Sequence, residues 1–196
     1  HTFQKLRIRL LLVDTPERGE DDFHEATQTC QNLLKEVDGM REIYHIYGEI
    51  RHIIDSLEPG GAEKVAVMMA NLFSKKGHKA GLMYFIRTPI NLLDTVNNNV
   101  QIYHFDRKGK FNIVRKQGFQ KITSEYDLLH VHLKHNLRYV WFLKLFSKKI
   151  PLVFFHDHGF TSFNRLDLKV TKAALSNAVY ISVSESLSEI ARKKLG

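Results

Sequence analysis

From residue 50 onwards, short apolar segments alternate with segments of helical periodicity. Six segments carry the β-branched and aromatic residues typical of strands, at 50–54, 80–86, 100–105, 127–131, 151–156 and 179–183. Segments with helical periodicity follow most of them, at 62–76, roughly 112–122, 136–147, roughly 165–176 and 185–195. This alternation predicts an α/β fold with a Rossmann-like parallel sheet and helices on both of its faces.

The stretch SLEPGGAEKVAVMMANLFSKKGH, residues 56–78, joins the first predicted strand to the second. Its predicted apolar helix face consists of Ala62, Val65, Ala66, Met69, Leu72 and Phe73. Gly77 is predicted to end the helix in a left-handed conformation. Gly60 and Gly61 stand where the helix begins, beyond the carboxyl end of a strand, which is where parallel sheets bind ligands. These two glycines predict either close approach of a phosphate or sugar, or only a tight turn.

Charge divides the chain near residue 50. Residues 1–49 carry 6 basic and 10 acidic residues, and residues 50–196 carry the remaining 23 basic and 11 acidic ones. The excess of 12 positive charges in the second part would attract the phosphates of a sugar nucleotide, an anionic lipid or a nucleic acid. A solvated basic surface without a partner explains the same composition. We predict two units, 1–49 and 50–196.

Cysteine content and hydropathy give an expectation about the compartment. Cys30 is the single cysteine, so no internal disulfide can form and a reducing compartment is favoured. The apolar runs at 10–13 and 65–73 are far shorter than the ~20 residues of a membrane-spanning helix. We expect a cytoplasmic protein, with peripheral contact to the inner membrane surface as an alternative. Residues 136–149 are the candidate for that contact, although their apolar face could equally be core.

Four motifs occur in order after residue 50. They are HIIDSLEPGGAEKVAVMMANLFSKKGHKAGLMYF at 52–85, YDLLHVH at 126–132, KIPLVFFHDHG at 149–159 and AVYISVSESLSEIARKKLG at 178–196. Together they resemble the N-terminal domain of GT-B retaining glycosyltransferases of the large family-four group. The resemblance implies half of a GT-B fold, a nucleotide sugar as donor, a lipid- or glycan-linked acceptor, and no cofactor or metal.

The same resemblance implies roles for individual residues. The implied donor-phosphate and acceptor-binding residues are Gly60, Gly61, Glu63, His132 and Gly159. The implied catalytic residue is His158, whose neutral imidazole would hydrogen-bond a hydroxyl of the transferred sugar. His156 is the alternative, because HDHG places more residues between the proline and the glycine than the family usually does. His130 and His132 alternate onto one strand face, and a structural role is expected for His130.

Members of that family continue into a second Rossmann-like domain that holds the donor nucleotide. No stretch resembling it occurs before Gly196. We therefore expect a truncated enzyme that lacks its donor domain. Without the second wall of the cleft, such a chain should not transfer sugar at a useful rate.

The first part of the chain resembles another family. RIRLLLVDTPE at 7–17 and HEATQTCQNLL at 24–34 resemble the thermonuclease, or staphylococcal nuclease-like, family. The resemblance implies that Arg9 contacts the scissile phosphate, that Asp14 and the Thr15 carbonyl bind calcium, and that Glu17 assists the attacking water. Nucleic acid would then be a partner. Because the family's earlier and later strands are missing, we expect a fragment from a fused or mis-joined reading frame, or a strand and helix packed on the larger domain.

Two further functions remain open at this stage. Two His-x-His pairs, His130 with His132 and His156 with His158, lie at predicted strand ends and could converge on zinc in a metal-dependent hydrolase. The chain could also be a non-catalytic module that binds a sugar or a protein partner.

Overall fold

A computed structural model describes residues 49–106, 118–119, 123–144, 151–159, 165–176, 178–183 and 185–195. All six predicted strands are confirmed within this part of the chain, with ends that differ from the prediction by at most two residues. They are β1 (Glu49–Ser56), β2 (Lys79–Ile86), β3 (Gln101–His104), β4 (Leu128–His132), β5 (Leu152–Asp157) and β6 (Ala178–Ser182).

The six described strands form one parallel sheet in the order β3-β2-β1-β4-β5-β6. From β1 the chain adds β2 and β3 on one side and then β4, β5 and β6 on the other side of β1. The strand order therefore reverses between β1 and β4. Parallel α/β sheets bind their ligands at this switch point, beyond the carboxyl ends of the strands. We therefore expect a ligand site at the edge of the sheet where β1, β4 and β5 end, at Ser56, His132 and Asp157.

Four helices accompany the sheet in the described residues. They are α1 (Gly61–Lys75), α2 (Lys134–Lys144), α3 (Arg165–Leu175) and α4 (Glu185–Leu195). The predictions at 62–76, 136–147, 165–176 and 185–195 correspond to them. The helix predicted at roughly 112–122 falls largely outside the described residues.

Helices cover both faces of the sheet, as predicted. The even-numbered residues of β1, β2, β4 and β5 pack with α1 in one apolar cluster that includes Ile54 and Phe73. The odd-numbered residues of the same strands pack with α2 in a second cluster that includes Ile53 and Val140. Because side chains alternate between the two faces of a strand, α1 and α2 lie on opposite faces.

Helix α1 buries a narrower stripe than the sequence predicted. Its buried residues are Ala62, Ala66, Val67, Ala70 and Phe73. Val65, Met69 and Leu72, assigned to the core face, are only partly buried. The buried stripe consists mainly of alanines, whose small side chains let a helix backbone approach the sheet closely, so the larger residues flank the contact.

The end of α1 confirms the role predicted for Gly77, which has a φ of 87°. The Gly77 amide donates to the Ser74 carbonyl and the His78 amide donates to the Phe73 carbonyl, each over 3.1 Å. These two bonds define a Schellman motif. The His78 ring contacts the Phe73 ring at 5.9 Å, which supplies the apolar contact that usually accompanies this motif.

The apolar face of α2 belongs to the core. Leu137, Tyr139, Val140 and Leu143 are buried against the sheet. The core alternative for residues 136–149 is therefore the one that the described part of this helix supports. Among the described residues, no helix combines the length and the apolar character needed to cross a bilayer.

Candidate functional site

A contact between a histidine and a carboxylate bridges the switch point, and no sequence pattern predicted it. Asp55 lies near the carboxyl end of β1, and His135 lies in the first turn of α2, directly after β4. His135 Nε2 is 3.2 Å from Asp55 Oδ1. The two residues are 80 positions apart in the sequence, so only the β1–β4 pairing brings them together.

Gly60 and Gly61 begin α1 at this edge without needing glycine's conformational freedom. Gly60 has an extended backbone, with φ −148° and ψ 171°, and Gly77 is the one described glycine with a positive φ. The backbone conformation therefore does not require glycine here, and the two alternatives, approach of a ligand and a tight turn, both stay predictions. A Cβ on Gly60 would overlap the Glu63 carboxylate, whereas a Cβ on Gly61 would meet no atom within 4 Å.

Glu63 folds back toward the helix start that Gly60 leaves open. Burial is the main cause that raises the pKa of the Glu63 carboxyl, and the negative charges of Asp55 and Glu58 raise it further. A hydrogen bond from its own backbone amide and the nearby His135 oppose this shift. The N-cap residue Gly60 has no side chain to cap the helix, whereas the Glu63 amide donates to the carboxylate of its own side chain.

Five histidines from three adjacent strands gather on the same face as α1. They are His52 of β1, His130 and His132 of β4, and His156 and His158 at the end of β5. His130 and His132 stack at 4.6 Å, which confirms that they share a face, and His156 stacks on His158 at 4.4 Å. Register explains the grouping, because His52 pairs with His130 and His132 pairs with His156.

His132 occupies the middle of this histidine cluster. Its Nδ1 lies 3.0 Å from His158 Nε2, and its Nε2 lies 3.4 Å from His52 Nδ1. His130 and His156 differ from it, since neither ring nitrogen of either residue has a hydrogen-bond partner among the described residues. Both side chains are at most 2% exposed.

Burial keeps the histidine cluster uncharged. It lowers the pKa of His52 to about 3 and that of His158 to about 4. For His130, His132 and His156, burial again lowers the pKa well below its ordinary value, and the neighbouring histidines lower it further. All five imidazoles are therefore neutral at pH 7, able to accept a hydrogen bond or bind a metal.

The two catalytic candidates at the end of β5 differ in accessibility. His156 is 2% exposed, whereas His158 is only partly buried. The turn between them is held by Asp157, whose Oδ1 accepts from the Gly159 amide over 3.2 Å and whose Oδ2 accepts from the Tyr180 hydroxyl over 2.9 Å. Burial raises the pKa of the Asp157 carboxyl, and these two hydrogen bonds oppose the shift.

The turn after β4 is strained. Leu133 has a φ of 70°, which a branched side chain rarely adopts. The Asn136 side-chain amide donates to the His132 carbonyl over 2.9 Å, and the Leu133 amide donates to the His156 carbonyl over 3.3 Å. These bonds let the chain pass from His132 directly into α2, so that His135 reaches Asp55.

The nuclease-like residues Arg9, Asp14, Thr15 and Glu17 lie outside the described residues, as does Cys30. Of the predicted glycosyltransferase residues, Gly60, Gly61 and Glu63 are on the β1 side of the switch point, and His132, His158 and Gly159 are on the β4–β5 side. Four further residues at this edge were not predicted from the sequence, namely His52, Asp55, Leu133 and His135. Of these, only His52 carried a signal in the sequence, as a histidine inside an apolar strand.

Comparison with known proteins leads to the same architecture. No family model matches the sequence, and no curated protein matches it. Among solved structures, Anabaena Alr3699/HepE in complex with UDP and glucose is similar, with a TM-score of 0.59, and its complex with UDP gives 0.58. Identity is 18% in both cases. At that identity the similarity is one of fold. The match covers 76% of this chain and 41% of HepE, so the chain spans about two fifths of the length of these structures.

Proposed function

We propose that residues 49–195 form the acceptor-side domain of a GT-B glycosyltransferase. In this proposal the domain takes part in transfer of a sugar from a nucleotide sugar to a lipid- or glycan-linked acceptor, and a donor domain completes the cleft. One observation at the switch-point edge carries the proposal. The start of α1 follows β1, the partly exposed His158 follows β5, and only β4 lies between these two strands.

In this proposal, the phosphate groups of the donor approach the start of α1 at Gly61. It is exposed, no atom in the described part of the chain lies within 4 Å of its missing Cβ, and its backbone conformation does not require glycine. The positive dipole end of a helix suits an anion, and the N-cap residue Gly60 carries no capping side chain. We assign the absence of a side chain at this position to the approach of a ligand.

His158 supplies the contact to the sugar. Its Nε2 is engaged by His132, which leaves Nδ1 for a hydroxyl. Because burial lowers its pKa to about 4, the imidazole stays neutral at pH 7 and brings no positive charge next to a developing oxocarbenium ion. Burial of His156 supports His158 over His156 for this role.

Beside the approach assigned to phosphate, the carboxylates near the start of α1 suit sugar hydroxyls. Glu63 is half-buried; burial is the main cause that raises the pKa of its carboxyl, and the negative charges of Asp55 and Glu58 raise it further. We assign Glu63 to the acceptor, whose hydroxyls can donate to a carboxylate. His132, being fully buried, acts through His158 and not by direct contact.

The HepE complexes with UDP and with glucose favour UDP-glucose as the first donor to test. Calorimetric titration of the full 196-residue chain with UDP-glucose, in EDTA, should give saturable binding near 1 mM, corresponding to about −4 kcal/mol. Gly61→Gln should weaken binding by about tenfold, because the new side chain occupies the approach to the helix start.

Lys75→Gln is the matched control, since it places the same side chain at the opposite end of α1. It should bind UDP-glucose as the wild type does. Equal affinity of Gly61→Gln and wild type would contradict the assignment of this helix start. No saturable binding of UDP-glucose or of other nucleotide sugars by the wild type would contradict the proposed function.

A further inference from the structure

We propose that His132, His156 and His158 form a binding site for a divalent transition metal ion, with zinc as the fitting ion and an open fourth position. The inference does not rest on the proposed glycosyl transfer. It rests on how the β4–β5 pairing converges three imidazoles at the carboxyl edge of the sheet.

Ligand distances in this histidine triad suit one ion. Each of the three residues offers a ring nitrogen, and the three nitrogens lie within 4.8 Å of one another. His132 Nδ1 and His158 Nε2 are 3.0 Å apart. Two nitrogens bound to tetrahedral zinc at about 2.0–2.1 Å are themselves about 3.3 Å apart, so a small rotation of one ring brings the His132 and His158 nitrogens to this spacing.

Within the triad, His156 is the residue that hydrogen bonding does not explain. A chain of N–H···N bonds through His52, His132 and His158 would give each of those three rings at least one partner. It leaves both nitrogens of His156 buried without a partner among the described residues, an arrangement that costs about 1–3 kcal/mol per unsatisfied group. A metal ion bound to His156 would satisfy one of these nitrogens.

The tautomers required for metal binding agree with the surrounding contacts. If His132 binds through Nδ1, its proton is on Nε2, which faces His52 Nδ1 at 3.4 Å. His52 is then an acceptor outside the metal ligands that fixes the orientation of His132, as carbonyls and carboxylates do in many zinc sites. The lowered pKa values of the three histidines favour the neutral form that a metal requires.

A second group, His52 with His130 and His132, also has ligand nitrogens within 4.8 Å. All three of its members are completely buried. A divalent ion there would have no water to complete its coordination and no described route of entry. In the outer triad His158 is partly exposed, so an ion can enter from the edge of the sheet and keep a water as its fourth ligand.

Binding through Nε2 of His158 leaves its Nδ1 for a ligand hydroxyl, so the metal site and the proposed sugar contact can coexist. Metal binding can therefore be tested without any nucleotide sugar. Cobalt(II) is a suitable probe, because it takes the coordination geometry of zinc and absorbs visible light.

The experiment is a cobalt(II) titration of the full chain after removal of metals with EDTA, followed by displacement with zinc. We expect one equivalent of bound cobalt with the visible bands of a tetrahedral nitrogen site, and loss of these bands when zinc is added. His158→Gln should weaken cobalt binding by at least about tenfold, as should His156→Gln. His135→Gln, which changes an exposed histidine at the same edge, should leave the affinity unchanged.

His158→Gln is the decisive variant, because a partly exposed residue can be replaced without disturbing the fold, and circular dichroism checks this. Wild-type affinity in that variant would overturn the proposal, and so would the absence of a stoichiometric tetrahedral cobalt spectrum in the wild type. Loss of binding in His130→Gln together with retention in His158→Gln would place the ion in the inner group and would also overturn it.

Discussion

His52 shows how a polar residue can be stable in the centre of a sheet. It is fully buried, stacks on Phe73 at 5.7 Å and lies 5.0 Å from the ring of His130. An imidazolium would lose its hydration there, so the ring remains neutral and behaves largely as an aromatic core residue. The same reasoning applies to the rest of the histidine cluster, and it couples the stability of the fold to pH.

We expect acid to destabilise the metal-free protein. The unfolded chain protonates His52 near pH 6.5, whereas the folded chain does so only near pH 3, so the unfolded state binds more protons below pH 6.5. Stability is therefore lost as pH falls through 6.5. Between pH 7.5 and pH 5 the loss should be about 2 kcal/mol from His52 alone.

Urea denaturation in EDTA at these two pH values measures the loss. His52→Phe keeps the aromatic contact with Phe73 and should reduce the pH-dependent change by about 2 kcal/mol, whatever its effect on stability at pH 7.5. An identical pH-dependent change in His52→Phe and wild type would show that His52 is not held neutral by burial.

At the scale of elements, α1 uses glycine for different reasons at its two ends. Gly77 ends the helix because its φ of 87° excludes an ordinary side chain, and the Schellman bonds depend on that conformation. Gly60 leaves room for Glu63, whereas no atom of the described residues would contact a Cβ on Gly61. Conformation explains the glycine at position 77 and packing explains the one at position 60. For Gly61 our explanation is a ligand.

Replacing glycine by alanine should change the free energy of unfolding differently at the two ends of α1. Gly77→Ala should lower the free energy of unfolding by about 1 kcal/mol, because alanine is strained at a positive φ. Gly61→Ala, made in the same helix, should leave stability unchanged or raise it by up to about 1 kcal/mol, because alanine favours helix and meets no neighbour. Urea midpoints of the two variants give the comparison. Destabilisation by Gly61→Ala would mean that its conformation, not a ligand, requires glycine.

At the scale of the whole molecule, helices cover both faces of the described sheet. Two apolar clusters cover its opposite faces, and α1 and α2 contribute to one cluster each. A sheet with both faces covered is what a parallel arrangement requires for stability. We therefore expect the described residues to form an independent folding unit, and the boundary near residue 50 stays a prediction that can be tested.

We expect a chain that begins at Gly48 to fold cooperatively. Its circular dichroism should show one urea transition, with a free energy of unfolding of at least about 5 kcal/mol, because the core on both faces is retained. Phe155→Asp in the same shortened chain is the control, since it buries a charge in the second cluster and should abolish the transition. A gradual loss of signal in the shortened chain would contradict the predicted boundary.

The sequence predicted the architecture well because local patterns carry it. Apolar runs identified every described strand within two residues, and the alternation with helices predicted a parallel sheet. The predicted core face of α1 was partly wrong, since Val65 and Leu72 are less buried than Val67 and Ala70. Helical periodicity locates an apolar arc, but how closely the helix approaches the sheet decides which part of that arc is buried.

The site was predictable only in part. Motifs pointed to Gly60, His132 and His158, because each follows or ends a predicted strand. The Asp55–His135 pair and the inclusion of His52 could not be predicted, since both depend on β1 lying beside β4 in one particular register. A shift of one residue would move His52 to the opposite face.

By itself the sequence determined the strands, the helices and which residues share a strand face, because these follow from backbone periodicity over a few neighbouring positions. Only the tertiary structure decided that five histidines from three strands meet in one buried cluster and that a glycine-opened helix start stands at the same edge. Strand order and register are long-range choices, made when separate segments bury their apolar faces against one another, and no local pattern encodes them.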